Sequence, residues 1–188
     1  MPKLPLTLAC GGYDRMQALF DGTVQVDGQD LAFLPEEQRS RLRRTKVGIV
    51  LQFGQLVPDL TVLDNVALPL LLDGYDRFAA RTAARDWLVR VGLDGEADTP
   101  SAELSGGQGQ RAAVARALVT GPSVVLADEP TGSLDTVGGE QLLDLLLAAA
   151  RERGAAVVLV THDNVVASRA DREVRLLDGH VATEAVLR

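Results

Sequence analysis

Val124-Val125-Leu126-Ala127-Asp128-Glu129 is a short apolar run, rich in β-branched residues, that ends in two adjacent carboxylates. A run of this kind reads as a buried strand of a parallel sheet. Val47 to Leu51 and Ala155 to Val160 have the same character. The last two strands each follow a helical pattern. From Gln108 to Thr120, Ala112, Val114, Ala115, Leu118 and Val119 form one apolar face, and Gly121-Pro122 stops it. From Gly139 to Arg153, Leu142, Leu143, Leu145, Leu146 and Leu147 form another, with Gly154 as the expected C-terminal residue. Helix, strand, helix, strand in this order implies an α/β fold with a mainly parallel sheet.

The region from Val62 to Glu103 has a different texture. Ala79 to Val91 places Ala83, Ala84, Trp87, Leu88 and Val91 at helical spacing, and Thr99-Pro100 marks a turn. This is expected to be a helical insertion, residues 62–103, within one domain spanning residues 1–188. Trp87, on the apolar face of that helix, reads as core packing.

Composition narrows the function. A formal charge of -7 argues against nucleic-acid binding, because phosphate backbones select basic faces. The one basic cluster, Arg39, Arg41, Arg43, Arg44 and Lys46, reads as a solvated helix face. A single cysteine allows no internal disulfide and suits a reducing compartment. The stretch Leu4 to Ala9 is too short for a signal core, and Pro5 interrupts it. The longest apolar runs, Val66 to Leu72 and Leu145 to Ala150, are far shorter than the roughly 18 residues of a membrane span. The expected location is cytoplasmic, with any membrane role exercised through a partner.

In open α/β sheets ligands bind beyond the carboxyl ends of strands, so Asp128 and Glu129 stand where a nucleotide would lie. One acid can hold Mg²⁺ while its neighbour orients or deprotonates water, as phosphoryl transfer requires. An apolar strand ending in Asp-Glu also suits an ordinary solvated strand end. A second segment, Leu104-Ser105-Gly106-Gly107-Gln108, opens the helix that runs to Thr120. Its glycines let backbone N–H groups approach an anion, Ser105 adds a hydroxyl, and the helix start adds partial positive charge. It reads as a phosphate site or as a Gly-rich helix cap.

LSGGQGQR from Leu104, VVLADEPTGSLD from Val124 and LVTHD from Leu159 together resemble the motif series of the ABC ATPases. The resemblance runs from about Lys3 to Val181. In VGIVLQFGQLVPDLTVLDNVALPLLL and ADEPTGSLD it is most similar to the subfamily serving lipoprotein-release, macrolide-export and cell-division permeases. It implies a P-loop-NTPase-like parallel sheet with flanking helices and an inserted helical subdomain, binding ATP with Mg²⁺.

By the same resemblance, Gln52 is the glutamine that touches Mg²⁺ and the attacking water and senses the membrane partner. Asp128 holds Mg²⁺ through water, and Glu129 is the catalytic base. Asp135, in Ser133-Leu134-Asp135, lies at the dimer contact, and His162 bonds the γ-phosphate. A lone His is more often structural, but this one follows a strand ending at the same crevice. Ser105, Gly106, Gly107 and Gln108 of one subunit would cover the ATP held by another. The implied assembly is a homodimer, or a heterodimer with another ABC ATPase subunit, attached through the helical insertion to a membrane permease at the inner face of the cell membrane. The span from Gln52 to Ser105 has no room for long coiled-coil arms, which weighs against the chromosome-maintenance and repair members.

The phosphate loop G-x-x-x-x-G-K-[ST] is the departure from this pattern. Lys3 falls where the loop lysine would be, but Pro2 replaces its glycine, and Leu4 and Pro5 replace the hydroxyl residues. The strands that precede the loop in relatives are also not found, so the N-terminal part is expected to be truncated. The expectation is weak ATP binding and negligible hydrolysis by these 188 residues alone. Two explanations are open, a start internal to a longer gene and a decayed or truncated member. Two functions follow: an ATPase subunit that drives a permease, and a non-hydrolysing subunit that lends only its Ser105-Gly106-Gly107 half-site to a partner.

Overall fold

The strands of the computed structural model, which describes residues 6–9, 25–52, 55–177 and 180–186, are β1 (Leu6–Ala9), β2 (Gln25–Val26), β3 (Gln29–Asp30), β4 (Val47–Val50), β5 (Val124–Asp128), β6 (Ala156–Val160), β7 (Arg172–Leu177) and β8 (His180–Val186). Six of them form one sheet in the order β4-β5-β6-β1-β7-β8. All neighbours are parallel except the β7–β8 hairpin. The three apolar runs read from the sequence are thus adjacent strands, with Val50 opposite Ala127 and Asp128 opposite Val160. Parallel pairing sends their carboxyl ends to one edge, the edge where Gln52, Glu129 and His162 follow. Leu6–Ala9, to which the sequence reading gave no element, is a central strand between β6 and β7.

The helices are α1 (Glu36–Lys46), α2 (Val62–Leu72), α3 (Arg77–Arg90), α4 (Gly106–Leu118), α5 (Thr136–Glu152) and α6 (Asn164–Ala167). Two begin earlier than apolar periodicity suggests. Their first turns are glycine-rich and their one apolar residue, Val137, is exposed, so the cap rather than the propensity sets the start. For α4 the cap is a reciprocal box: Gln108 N donates to Ser105 Oγ at 3.2 Å, and Ser105 N donates to Gln108 Oε1 at 2.9 Å. For α5 it is Asp135, whose Oδ1 accepts from Gly138 N at 2.7 Å. Gly121 and Gly154 follow the two helices at φ +65° and +67°, ending each in the left-handed conformation.

One sheet face, carrying Val50, Val125, Ala127, Val157 and Leu159, is buried with the apolar sides of α4 and α5. On α4, α2 and α3 add Val62, Leu63, Val66, Ala84, Trp87 and Leu88 to the same core, so Trp87 is a packing residue. Two guanidiniums, Arg90 and Arg153, lie 4.8 and 5.3 Å from the centre of its ring. In the basic cluster, Arg39 and Arg43 pair with Glu36, Arg44 with Asp73, and Lys46 with Asp27.

At Gly48 the strand β4 and the helix α4 approach closely. A Cβ placed on Gly48 would lie 2.4 Å from the backbone oxygen of Ala117, so the strand and the helix touch backbone to backbone. A helix oxygen cannot swing aside as a side-chain tip can. Gly48→Ala is therefore expected to lower unfolding free energy by about 1–3 kcal/mol in urea titration, the cost of overpacking a fixed core.

Candidate functional site

Glu129 leaves β5 with φ at +44°, a left-handed backbone that L side chains rarely adopt. Two backbone bonds fix it: Glu129 N donates to Val160 O at 2.9 Å, and Gly132 N donates to Glu129 O at 3.1 Å. The turn delivers the carboxylate over the end of β6. There Glu129 Oε2 accepts from Thr161 Oγ1 at 3.1 Å, and Oε1 accepts from His162 N at 2.9 Å and lies 2.5 Å from His162 Nδ1. Glu129 is only 8% exposed, whereas the His162 side chain is 83% exposed. A buried carboxylate is tolerable because its oxygens are bonded, and backbone strain of this kind concentrates at functional sites.

Gln52 belongs to the same group. A Cβ on Gly132 would lie 3.7 Å from Gln52 Nε2, which puts the amide against the turn after Glu129. Asp128, half-buried, ends β5 opposite Val160. Gln52, Asp128, Glu129 and His162 therefore gather at one sheet edge. Among the described residues no group of three or more His, Cys, Asp or Glu could hold a metal by itself. The oxygens of Asp128 and Gln52 suit a hard cation such as Mg²⁺ that completes its shell with water and phosphate oxygens.

Ser105, Gly106 and Gly107 stand at the start of α4, beside a different stretch. Cβ atoms on Gly106 and Gly107 would meet Ser133 O at 3.8 Å and Leu134 Cδ2 at 2.8 Å. One short segment, 129–135, thus runs from the buried acid, past the signature glycines, to the cap of α5. Gln108 turns its side chain to the helix: its Oε1 closes the capping box and its Nε2 donates to Glu96 Oε1 at 3.1 Å. The Ser105 hydroxyl accepts within that box and still has its proton to donate. Lys3 lies outside the described residues.

Sequence reasoning missed three polar residues around this site. Thr161 bonds Glu129. Gln110, 1% exposed, donates from Nε2 to Leu51 O at 3.0 Å. Asn65, fully buried, bonds Val57, Leu60 and Thr61. For Gln110 and Asn65 the available signal was a polar side chain within an apolar helical pattern; Thr161, just beyond β6, gave no such signal.

Comparison with known proteins agrees with this geometry. Residues 13–132 match the ABC transporter family. The "Lipoprotein-releasing system ATP-binding protein LolD 1" of Caulobacter vibrioides is 45% identical over 163 residues, covering 86% of this chain and 70% of that protein. LolD of Bordetella pertussis is 47% identical over 160 residues, covering 85% and 69%. Among solved structures, the dimeric ABC transporter cassette MJ0796 superposes with a TM-score of 0.87 at 35% identity over 98% of this chain and 86% of its own. The same cassette bound to ADP and Pi, a post-hydrolysis dimer, gives 0.85 at 34% identity with the same coverage. The chain belongs to the ABC transporter ATP-binding family.

Asp135 caps α5 through its side chain, and substitution measures what that cap contributes. Asp135→Ala removes the α5 cap and is expected to cost about 1 kcal/mol in chemical denaturation, whereas Asp135→Asn keeps a capping oxygen and should cost only about a few tenths.

Proposed function

We propose that this chain is the ATP-binding subunit of an ABC transporter and couples ATP binding and hydrolysis to a membrane permease. The observation that carries the proposal is the gathering of Gln52, Asp128, Glu129 and His162 at the carboxyl edge of the sheet, in a chain that also presents Ser105-Gly106-Gly107 at the start of a capped helix. In this reading Glu129 takes the proton of the attacking water, which requires its carboxylate to exchange the His162 contact for water. His162, its side chain exposed, is the residue that would turn toward a γ-phosphate. Asp128 and Gln52 hold Mg²⁺, which neutralises phosphate charge. Ser105, Gly106 and Gly107 donate to the nucleotide of a second subunit, so the working unit is a head-to-tail homodimer or a heterodimer with another ABC ATPase subunit. Asp135 lies at that contact.

The 62–103 insertion is the proposed permease-facing subdomain of a single 1–188 domain. Among the described residues no helix is long and apolar enough to cross a membrane. Attachment at the inner face of the membrane would therefore come through the permease. The names of the relatives make a lipoprotein-releasing permease the first partner to test.

The test is co-expression with that permease and purification from membranes. The chain should co-purify, and the complex should turn over Mg²⁺-ATP. Glu129→Gln should leave co-purification intact and slow turnover about 100-fold or more, the weight of a general base. Near-normal turnover in the variant would remove Glu129 from the mechanism. Turnover that appears only with an intact second ATPase subunit, and that ignores Glu129→Gln, would instead support a chain that lends its signature half-site alone.

A further inference from the structure

Thr161 is the first residue beyond β6 and is 1% exposed. A buried hydroxyl is tolerated when it is bonded, and this one is bonded twice. Its Oγ1 accepts from Asp163 N at 3.1 Å and donates to Glu129 Oε2 at 3.1 Å. A hydroxyl carries one proton and an ionised carboxylate can only accept, so that proton is committed to Glu129. Burial and a branched Cβ leave Thr161 little choice of rotamer. The turn it opens is closed by Asp163, whose Oδ1 accepts from Val165 N at 2.7 Å at the start of α6.

The two oxygens of Glu129 therefore have different settings. Oε2 meets a buried, rigid hydroxyl. Oε1 accepts from His162 N at 2.9 Å and lies 2.5 Å from His162 Nδ1, which belongs to a side chain that is 83% exposed. The ring can rotate away into solvent, whereas the hydroxyl is enclosed. The Glu129 backbone is itself fixed, by its left-handed turn and by the bond from Glu129 N to Val160 O. Between that backbone and the carboxylate lie only rotatable bonds, and the Thr161 hydroxyl is the inner contact that restricts them.

We propose that Thr161 is a positioning residue that holds Oε2 of Glu129, so that Oε1 is the oxygen presented to water once the His162 ring departs. This rests on the functional reading above, in which Glu129 exchanges its His162 contact for the attacking water. In that step the water's proton passes to Oε1 while the water oxygen bonds phosphorus, and the bridging oxygen leaves with its electron pair. Without the hydroxyl the carboxylate remains, but it is spread over several rotamers, and only some of them face the water.

Hydrogen–deuterium exchange of the 188-residue chain, read at single amides by NMR, tests the anchor without requiring turnover. Thr161→Val removes the hydroxyl at nearly constant volume. Faster exchange of Asp163 N follows from any role of Thr161, because its acceptor is lost. The proposal adds that His162 N, whose acceptor is the carboxylate, exchanges about fivefold faster too, the weight of one hydrogen bond. Glu129 N, bonded to backbone, keeps its rate. Thr161→Ser retains a hydroxyl and should leave His162 N within about twofold of the original rate. If Thr161→Val does not fold, Thr161→Ala is read in the same way.

Turnover is the second readout, in the permease complex with the chain extended at its N-terminus by the phosphate loop and strands of a LolD relative. Thr161→Val should lower kcat about tenfold with KM for ATP unchanged, the weight of a bond to a charged group, and Thr161→Ser should restore it. In a Glu129→Gln background the same Thr161→Val change should alter the residual kcat by less than about twofold, because residues that act as one unit are not additive.

An unchanged His162 amide in Thr161→Val would overturn the proposal, as would a kcat loss of equal size with and without the Glu129 carboxylate. Either result would leave Thr161 as a support for the turn before α6 alone. Failure of the functional reading looks different. Normal turnover in Glu129→Gln by itself would sink that reading and leave the exchange result standing. Slow turnover in Glu129→Gln beside normal turnover in Thr161→Val would sink only the present inference.

Discussion

Everything at the site depends on how closely α4 can lie on β4, and that is set by the missing side chain of Gly48. Backbone contact at Ala117 leaves no room for a side chain between the helix and the strand. The end of β4, where Gln52 begins, is thereby fixed relative to the start of α4, where the signature glycines stand. The rest of the core fills in around this contact: α5 covers β6, and α2 and α3 cover the outer side of α4. These apolar contacts supply the stability and the glycine supplies the registration.

The chemical edge of the sheet is built by a second constraint. Three parallel strands end in register, so the residues after them compete for the same space. The chain resolves this by forcing Glu129 into a left-handed turn, which tucks its carboxylate onto the backbone and side chains that follow β6. The segment after Glu129 then passes the signature glycines and caps α5 with Asp135. Two distant motifs are thus linked by seven consecutive residues, 129–135, a continuity that makes the acid and the signature parts of one mechanical unit.

The parallel core was legible because its strands are apolar and β-branched, and because buried helices repeat their apolar residues at helical spacing. Val47 to Leu51, Val124 to Ala127 and Ala155 to Val160 all announce themselves in this way. The starts of α4 and α5 were displaced because Gly106, Gly107, Gly138 and Gly139 give no periodic signal, and caps decide the boundary. The β7–β8 hairpin was not legible. Arg172-Glu173-Val174-Arg175 is largely polar, and its pairing depends on a long-range neighbour, β1. Leu6–Ala9 gave only four residues of pattern, too few to separate a strand from a stray apolar stretch. At the site, the resemblance to the ABC ATPase motif series pointed to Gln52, Asp128, Glu129 and His162. The supporting residues Thr161, Gln110 and Asn65 were hidden, because a buried polar residue is recognised only once its partner is known.

The central claim is that the chain carries two halves of different sites and is completed by a second subunit. Sedimentation velocity of the Glu129→Gln variant, extended at its N-terminus with the phosphate loop and strands of a LolD relative and run with and without millimolar Mg²⁺-ATP, measures this directly when repeated with Ser105→Arg added. The account predicts a nucleotide-dependent dimer that Ser105→Arg abolishes. A chain that stays monomeric in ATP, or a dimer that forms regardless of Ser105, would contradict it.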